Sequence, residues 1–215
     1  INNLMGEAEV ALTRSRSAED YRQVIESSLE ECGQLSRTID SLLFLARAEN
    51  VHTQLERTQT DARAELEAVR EFYDALADEW GVRVSCSGAG EVYADALLFR
   101  RAVSNLVSNA LHHTRDGGSV VLQVEPQLSG LVIRVTDDGC GIAAEHLPRL
   151  FDRFYRVQNV ASRSHGTGLG LALVKSIMDL HHGRVVVESV VGHGTSVALH
   201  FVGGSNAQHA SAEPS

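Results

Sequence analysis

The chain carries three short motifs in succession: D-D-G-C-G-I at Asp137–Ile142, F-D-R-F-Y-R at Phe151–Arg156 and G-T-G-L-G-L-A-L-V-K at Gly166–Lys175. The strongly β-like stretch L-V-I-R-V-T predicts a strand at Leu131–Thr136 before the first motif, and an apolar helix at Leu171–His182 begins within the last. Glycines directly before a helix let backbone N–H groups and the positive end of the helix dipole approach a phosphate. We therefore predict a nucleotide site in this stretch.

Other phosphate-binding motifs do not fit. A P-loop requires G-x-x-x-x-G-K-[ST], which the chain lacks. A dinucleotide fingerprint requires G-x-G-x-x-G directly after a strand, whereas Gly166, Gly168 and Gly170 are spaced G-x-G-x-G and follow the polar segment Gln158–His165. The alternative is that these glycines only serve turns and a tight helix entry.

A helix predicted at Ala96–His113 adds a second polar feature. Asn105 and Asn109 stand four residues apart, so their side chains share one helix face. Amide oxygens are suitable ligands for Mg²⁺, which prefers oxygen donors together with phosphates and water. Without the downstream motifs, the alternative of two ordinary surface asparagines would be favoured.

Composition limits the classes of function. The chain has 215 residues and a net charge of −9, which argues against a general nucleic-acid binder. No apolar run reaches the length of a membrane span, and three scattered cysteines indicate reduced thiols rather than disulfides or a zinc site. Ten histidines include the adjacent pairs His112–His113 and His181–His182, but adjacent residues diverge on a helix, so we expect no transition-metal site.

The N-terminal part is predicted to be a helical hairpin, residues 1–50. The chain is expected to begin inside a first helix, a polar turn follows at Thr13–Ser17, and a second helix runs from about Ala18 to Glu49 with a sustained heptad seam. Its apolar stripe is wider than one neighbouring helix covers, so we expect a homodimeric four-helix bundle. The alternative is that the stripe packs on the following domain of the same chain.

Residues 54–202 are predicted to form an α/β sandwich, which makes the fold class α+β. The expected elements are strands at Gln54–Thr58, Val82–Cys86, Val92–Tyr93, Ser119–Val124, Leu131–Thr136, Arg184–Val190 and Thr195–Phe201, and helices at Asp61–Trp80, Ala96–His113 and Leu171–His182. A loop containing Pro126 and Gly130 is expected between the two central strands. The tail Gly203–Ser215 lacks periodicity and is expected to be disordered.

Four motifs in order resemble the ATP-binding catalytic domain of the sensor histidine kinases of two-component systems, within the wider GHKL (Bergerat-type) ATPase group. They are the Asn105–Asn109 helix, Asp137–Ile142, Phe151–Arg156 and Gly166–Leu171. With the helical hairpin, the resemblance covers nearly the whole chain. The stretches I-N-N-L-M-G-E and L-L-F-L-A-R-A-E-N are similar to those of the heavy-metal-sensing branch.

The resemblance implies a role for each matching residue, with ATP and Mg²⁺ as cofactors. Asp137 would accept a hydrogen bond from the adenine amine and so reject guanine. Asn109 would bind the metal, and Arg156 would reach the γ-phosphate as the one catalytic side chain. The remaining nucleotide-binding positions would be Asn105, His112, His113, Gly139, Gly141, Ile142, Gly166, Thr167, Gly168, Leu169, Gly170 and Leu171. His112 stands where the family often has lysine or arginine, which puts one phosphate contact in doubt.

By the same resemblance, the parent protein would be a protein-histidine kinase. It would transfer the γ-phosphoryl to a histidine and relay it to a response-regulator aspartate. That histidine would lie six positions before Ile1, so this chain would not phosphorylate itself. The parent would be anchored in the inner membrane with this portion in the cytoplasm. The alternatives are a non-catalytic nucleotide-binding and dimerisation module, or a GHKL-type ATPase or serine kinase.

Overall fold

The computed structural model describes residues 17–48, 55–157 and 167–203. The chain divides into two compact units, Ile1–Phe44 and Leu45–Ser215. The predicted first helix, the boundary at Asn50–Thr53, the polar segment Gln158–His165 and all of the tail after Gly203 lie outside the described residues. A helical N-terminal part followed by a mixed α/β domain confirms the predicted fold class.

The first unit contains helix α1, which runs from Ala18 into the second unit at Ala48. It begins with a reciprocal cap, in which the Asp20 N–H donates to Ser17 Oγ (3.1 Å) and the Ser17 N–H donates to Asp20 Oδ2 (3.0 Å). Several seam and stripe residues are more than half exposed, among them Ile25 (59%) and Leu29 (67%). The bundle dimer stays a prediction.

The second unit combines strands and helices. Its elements are β1 (Arg57–Asp61), α2 (Ala62–Glu79), β2 (Arg83–Gly88), β3 (Glu91–Asp95), α3 (Ala96–His113), β4 (Ser119–Gln127), β5 (Gly130–Asp137), a 3₁₀ helix (Ala144–Arg149), α4 (Gly170–Leu180), β6 (Arg184–Val190) and β7 (Gly194–Val202). Aspartates cap two of the helices: Asp61 accepts the Arg63 and Ala64 N–H groups, and Asp95 accepts the Leu98 N–H.

The strands form two sheets. The main sheet has the order β2-β4-β5-β7-β6, in which only the β2–β4 pair is parallel, and β1 pairs antiparallel with β3 in a small second sheet. The core contains buried apolar residues from β4, β5 and β7 and from helices α2, α3 and α4, such as Phe99, Leu122, Ile133, Ile177 and Leu199. This layering places the end of β5, the end of α3 and the start of α4 near one another.

Two local expectations differ from the structure by more than two residues. Pro126 was expected in a loop but belongs to β4, opposite Leu131 of β5. Strand β2 stops pairing at Val124, so the missing N–H of Pro126 faces no partner strand and costs no ladder hydrogen bond. The first strand, expected at Gln54–Thr58, is Arg57–Asp61, because its register with β3 extends to Asp61 and ends where that residue caps α2.

Among residues 17–48, 55–157 and 167–203, no helix has the combination of length and apolar character that a membrane span requires.

Candidate nucleotide-binding site

The end of β5 positions Asp137 inside the domain. Only 9% of the residue is exposed, and its Oδ1 accepts hydrogen bonds from the backbone N–H groups of Gly139 (2.9 Å) and Thr195 (3.2 Å). Burial raises the pKa of the carboxyl group to about 6, although the two backbone hydrogen bonds oppose the shift. The carboxylate is thus held in one orientation by its own turn and by the neighbouring strand β7.

The turn after Asp137 packs closely on the end of α3. A Cβ at Gly139 would lie 2.4 Å from the carbonyl oxygen of His113, and the Cys140 N–H donates to that same oxygen at 3.3 Å. No side chain larger than hydrogen fits at position 139. This contact brings the Asp137 motif against the helix that carries the asparagine pair.

The other side of the same turn packs on the β6–β7 hairpin. Gly141 has φ +67°, and a Cβ there would lie 2.1 Å from the Val190 carbonyl oxygen, so glycine is required on both grounds. The Ile142 N–H donates to Ser189 Oγ at 2.8 Å, and that hydroxyl in turn lies 2.9 Å from the Gly194 carbonyl oxygen, to which it donates. Ser189 therefore holds the end of the motif in place.

The asparagine pair faces the start of α4. A Cβ on Gly170 would lie 3.2 Å from Asn105 Oδ1, 3.6 Å from Asn109 Nδ2 and 3.8 Å from Asn109 Oδ1. Asn105 Nδ2 donates to the Arg101 carbonyl oxygen one turn earlier (2.7 Å), which directs its Oδ1 away from its own helix axis. The two amides and the first residue of α4 thus share one small space.

The start of α4 suits an anion. Its N-cap is Leu169, and no side chain of the described residues caps the helix, so the first N–H groups have no intrahelical or side-chain acceptor there. Leu169 itself is 1% exposed and packs in the core, while Thr167 and Leu171 are half-buried beside it. Gly166 lies outside the described residues.

The two histidines at the end of α3 have different surroundings. His112 packs edge-on against Trp80 (ring centroids 5.0 Å apart), and its Nδ1 lies 2.6 Å from the Ser108 carbonyl oxygen. His113 is exposed overall, but neighbouring atoms partly desolvate its ring, and this desolvation lowers its pKa. The positive charges of His112 and Arg156 lower the pKa further. Arg156 is exposed and close enough to His113 to influence that pKa.

The structure therefore gathers most of the predicted residues at one edge of the domain. Asp137 and Gly139 lie against the His113 carbonyl at the end of α3, and Gly170 at the start of α4 faces Asn105 and Asn109 of α3. Gly168 contacts the Phe154–Tyr155 backbone rather than either group. His112 contacts Trp80 and Ser108, and its phosphate role stays a prediction.

Sequence reasoning missed Ser189 and Thr195. Both act through cross-strand pairing, since Thr195 lies opposite Asp137 and Ser189 lies opposite Thr195 in the sheet register. A serine or threonine in a hairpin strand has no local signal for such a role. Only the pairing of β5, β7 and β6 reveals it.

A family model described as "Histidine kinase-, DNA gyrase B-, and HSP90-like ATPase" matches residues 94–203. The sensor protein IrlS of Burkholderia pseudomallei (strain K96243) is 46% identical over 202 residues, which cover 94% of this chain and 44% of that protein. The sensor protein CzcS of Cupriavidus metallidurans is 40% identical over 202 residues, covering 94% of this chain and 42% of that protein. The chain thus spans less than half the length of these curated relatives.

Among solved structures, the histidine kinase AdeS of Acinetobacter baumannii superimposes with a TM-score of 0.78 over 94% of each chain, at 20% identity. That likeness concerns the fold. The residues matched by the family model include Asp137, Asn109 and Gly170.

Proposed function

Because the chain belongs to the family of histidine kinase-, DNA gyrase B- and HSP90-like ATPases, we propose that it is the Mg²⁺–ATP-binding catalytic portion of a sensor protein-histidine kinase. The relatives named as sensor proteins support the kinase assignment and the heavy-metal-sensing branch. The observation that carries the proposal is the shared space between the asparagine pair and Gly170, in a domain that also holds the buried carboxylate of Asp137.

Each end of the nucleotide has a matching group. Asp137 offers a buried acceptor for the adenine amine, and guanine would place a carbonyl oxygen against it. The uncapped start of α4 and the glycine at position 170 suit the phosphates. Arg156, exposed and near His113, is the cation assigned to the γ-phosphate.

The donor set also fits Mg²⁺. The Asn109 amide lies within 4 Å of the Gly170 Cβ position and carries a hard oxygen, the atom type that Mg²⁺ prefers beside phosphates. When bound, the metal neutralises charge on the phosphates, and the residues of the chain supply position and orientation.

The assembly around the catalytic domain is part of the same proposal. The exposed apolar residues of α1 would be covered in a homodimer through residues 1–50, with residues 54–202 as the catalytic domain. The γ-phosphoryl would pass to a histidine, and then to a response regulator. A solved complex of the histidine kinase ThkA with the response regulator protein TrrA has the same fold and supports that partner. The parent would be membrane-anchored, with this part in the cytoplasm.

Calorimetric titration with AMPPNP, with and without Mg²⁺, tests the proposal. We expect micromolar affinity that depends on Mg²⁺, and in Asn109→Ala we expect weaker binding with the Mg²⁺ dependence largely lost. Ser108→Ala is the matched control, because Ser108 directly precedes Asn109 on the same helix and its hydroxyl lies 3.5 Å from His112 Nδ1. Absence of binding in both conditions would refute the nucleotide assignment.

The transfer step needs the full-length protein. Incubation with γ-labelled ATP should give an acid-labile phosphate on the full-length protein, with none on the same protein carrying Asn109→Ala. Nucleotide binding without any such phosphate would favour the non-catalytic nucleotide-binding module over the kinase.

A further inference from the structure

Three side chains near the candidate site form a cluster that the proposed function does not use: His146 and Arg149 of the 3₁₀ helix, and Tyr155. The Tyr155 hydroxyl lies 2.8 Å from His146 Nδ1. The guanidinium carbon of Arg149 lies 4.3 Å from the centroid of the Tyr155 ring, a cation–π arrangement. The ring of Tyr155 is therefore held both at its polar tip and on its face.

The backbone next to Tyr155 is constrained as well. The Phe154 N–H donates to the Gly168 carbonyl oxygen at 2.9 Å, and a Cβ on Gly168 would lie 2.7 Å from the Phe154 carbonyl carbon and 2.9 Å from the Tyr155 carbonyl oxygen. Phe154 has φ +63°, a strained conformation for a non-glycine residue that persists only where neighbours enforce it. The chain before Arg156 is thus fixed against the chain that enters α4.

Arg156 follows Tyr155 directly, and Gly170 follows Gly168 by two residues. We propose that Tyr155, held by His146 and Arg149, is a positioning residue that directs Arg156 towards the γ-phosphate of a nucleotide whose phosphates lie at the start of α4. The inference rests on the proposed function. The adenine end is held by other groups, since Asp137 is oriented by Gly139 and Thr195.

The test is Tyr155→Phe in the whole chain, titrated in Mg²⁺ with ADP and with AMPPNP. The substitution removes the hydroxyl and keeps the ring under Arg149. Because the lost contact positions the group that meets the γ-phosphate, we expect AMPPNP affinity to fall about five- to tenfold and ADP affinity to change by less than about twofold. The ratio of the two affinities is a readout that general loss of stability would not move.

Arg149→Met is the second variant. It keeps an unbranched side chain and removes the cation from the face of the Tyr155 ring, and we expect the same selective loss for AMPPNP. Tyr73→Phe is the matched control, because its hydroxyl also makes a contact, to Ser104 Oγ at 2.9 Å, away from the site. Both affinities should be unchanged in the control.

The outcomes separate the two levels of the proposal. Equal losses for ADP and AMPPNP in Tyr155→Phe and Arg149→Met, or no loss in either variant, would overturn the positioning role and leave nucleotide binding in place. If the unchanged chain binds neither nucleotide, the proposed function fails and this inference fails with it.

Discussion

Asp137 and Thr195 lie opposite each other in the pairing of β5 with β7, and the Thr195 N–H donates a hydrogen bond to Asp137 Oδ1 at 3.2 Å. The Gly139 N–H donates to the same oxygen at 2.9 Å. Neither of these bonds uses Oδ2. The fold therefore holds one carboxylate oxygen with its own backbone, and the proposed hydrogen bond from the adenine amine is assigned to the other.

Asp137→Asn should weaken adenine-nucleotide binding by about tenfold or more, because the amide can keep the two backbone hydrogen bonds only by presenting an N–H to the adenine amine. The same N–H can donate to a guanine carbonyl, so discrimination between ADP and GDP should shrink. Calorimetric titration with both nucleotides measures this.

Asp138→Asn is the control for that substitution. Asp138 is the exposed neighbour, and its carboxylate accepts the Ser119 N–H at 2.9 Å. It carries the same change of charge one residue away. If both variants bind ADP as the unchanged chain does, Asp137 does not select the base.

Nucleotide affinity should also depend on pH through Asp137, whose pKa is raised to about 6 by burial. The ionised carboxylate is the better acceptor, and its fraction falls about tenfold between pH 7 and pH 5, so ADP affinity should fall by about the same factor. Titrations of Asp137→Asn over the same range measure the part of the pH dependence that comes from ionisation of the nucleotide itself, and this part can be subtracted. A pH dependence that persists in the variant would assign the effect to another group.

The same shift predicts a pH-dependent difference in stability. A carboxyl with a raised pKa in the folded state stabilises the fold when protonated, and this contribution is lost as the pH rises from about 3.8 through 6. The free energy of unfolding of the unchanged chain should therefore decrease, relative to Asp137→Asn, by about 1 kcal/mol between pH 5 and pH 7. Urea denaturation at the two pH values measures the difference, and a constant difference would contradict the raised pKa.

Gly170→Ala separates folding from binding. Gly170 has no positive φ, and replacing such a glycine by alanine typically stabilises a protein by about 0.4–1 kcal/mol through the unfolded chain, so the variant should be as stable as the unchanged chain or slightly more stable. Its Cβ, however, would lie 3.2 Å from Asn105 Oδ1 and displace the amides that face α4. We expect an unchanged or higher melting temperature together with weaker AMPPNP binding.

Gly33→Ala is a control for the helix effect, since Gly33 lies within α1 and its nearest neighbour to an added Cβ is the flexible side chain of Arg37 at 3.4 Å. It should stabilise without altering nucleotide affinity. Full AMPPNP affinity in Gly170→Ala would show that the space beside the asparagines is not used by the nucleotide.

His181 joins the end of α4 to the start of α3. Its Nε2 accepts the Asp95 N–H at 3.1 Å, and its Nδ1 lies 2.8 Å from the Ile177 carbonyl oxygen, to which it donates. His181→Leu leaves the Asp95 N–H without its acceptor and should lower the free energy of unfolding by about 1–3 kcal/mol. Thermal or urea denaturation at pH 8 measures this loss.

The contribution of His181 to stability should also depend on pH. Burial lowers the pKa of His181, so its contribution to stability is complete above about 6.5 and is lost as the pH falls below that value. The stability of His181→Leu should therefore fall less steeply between pH 7 and pH 5 than that of the unchanged chain. His182→Asn, which keeps a residue that tolerates the positive φ of 55°, should show the original slope.

Much of the fold could be predicted because the signals are local. The helix Ala96–His113 and the strand Arg184–Val190 were predicted with the bounds that the structure has, since periodicity and the Asp95 cap define them within the segment itself. Strand β1 and the placement of Pro126 were wrong by a few residues because pairing with β3 and the short length of β2 decide them. The site residues were predicted from four motifs and from their resemblance to the sensor histidine kinases, and their roles stay predictions.

The sequence alone determined which chemistry is available: a carboxylate and glycines after a strand, two amides one helical turn apart, and glycines that open a helix. Those patterns depend on neighbours in the chain, so the sequence displays them directly. Only the tertiary structure decided that Gly170 faces the asparagines, that Thr195 and Ser189 hold the Asp137 turn, and that His146 and Arg149 hold Tyr155. These relationships arise from strand register and helix packing between distant segments, which no local pattern specifies.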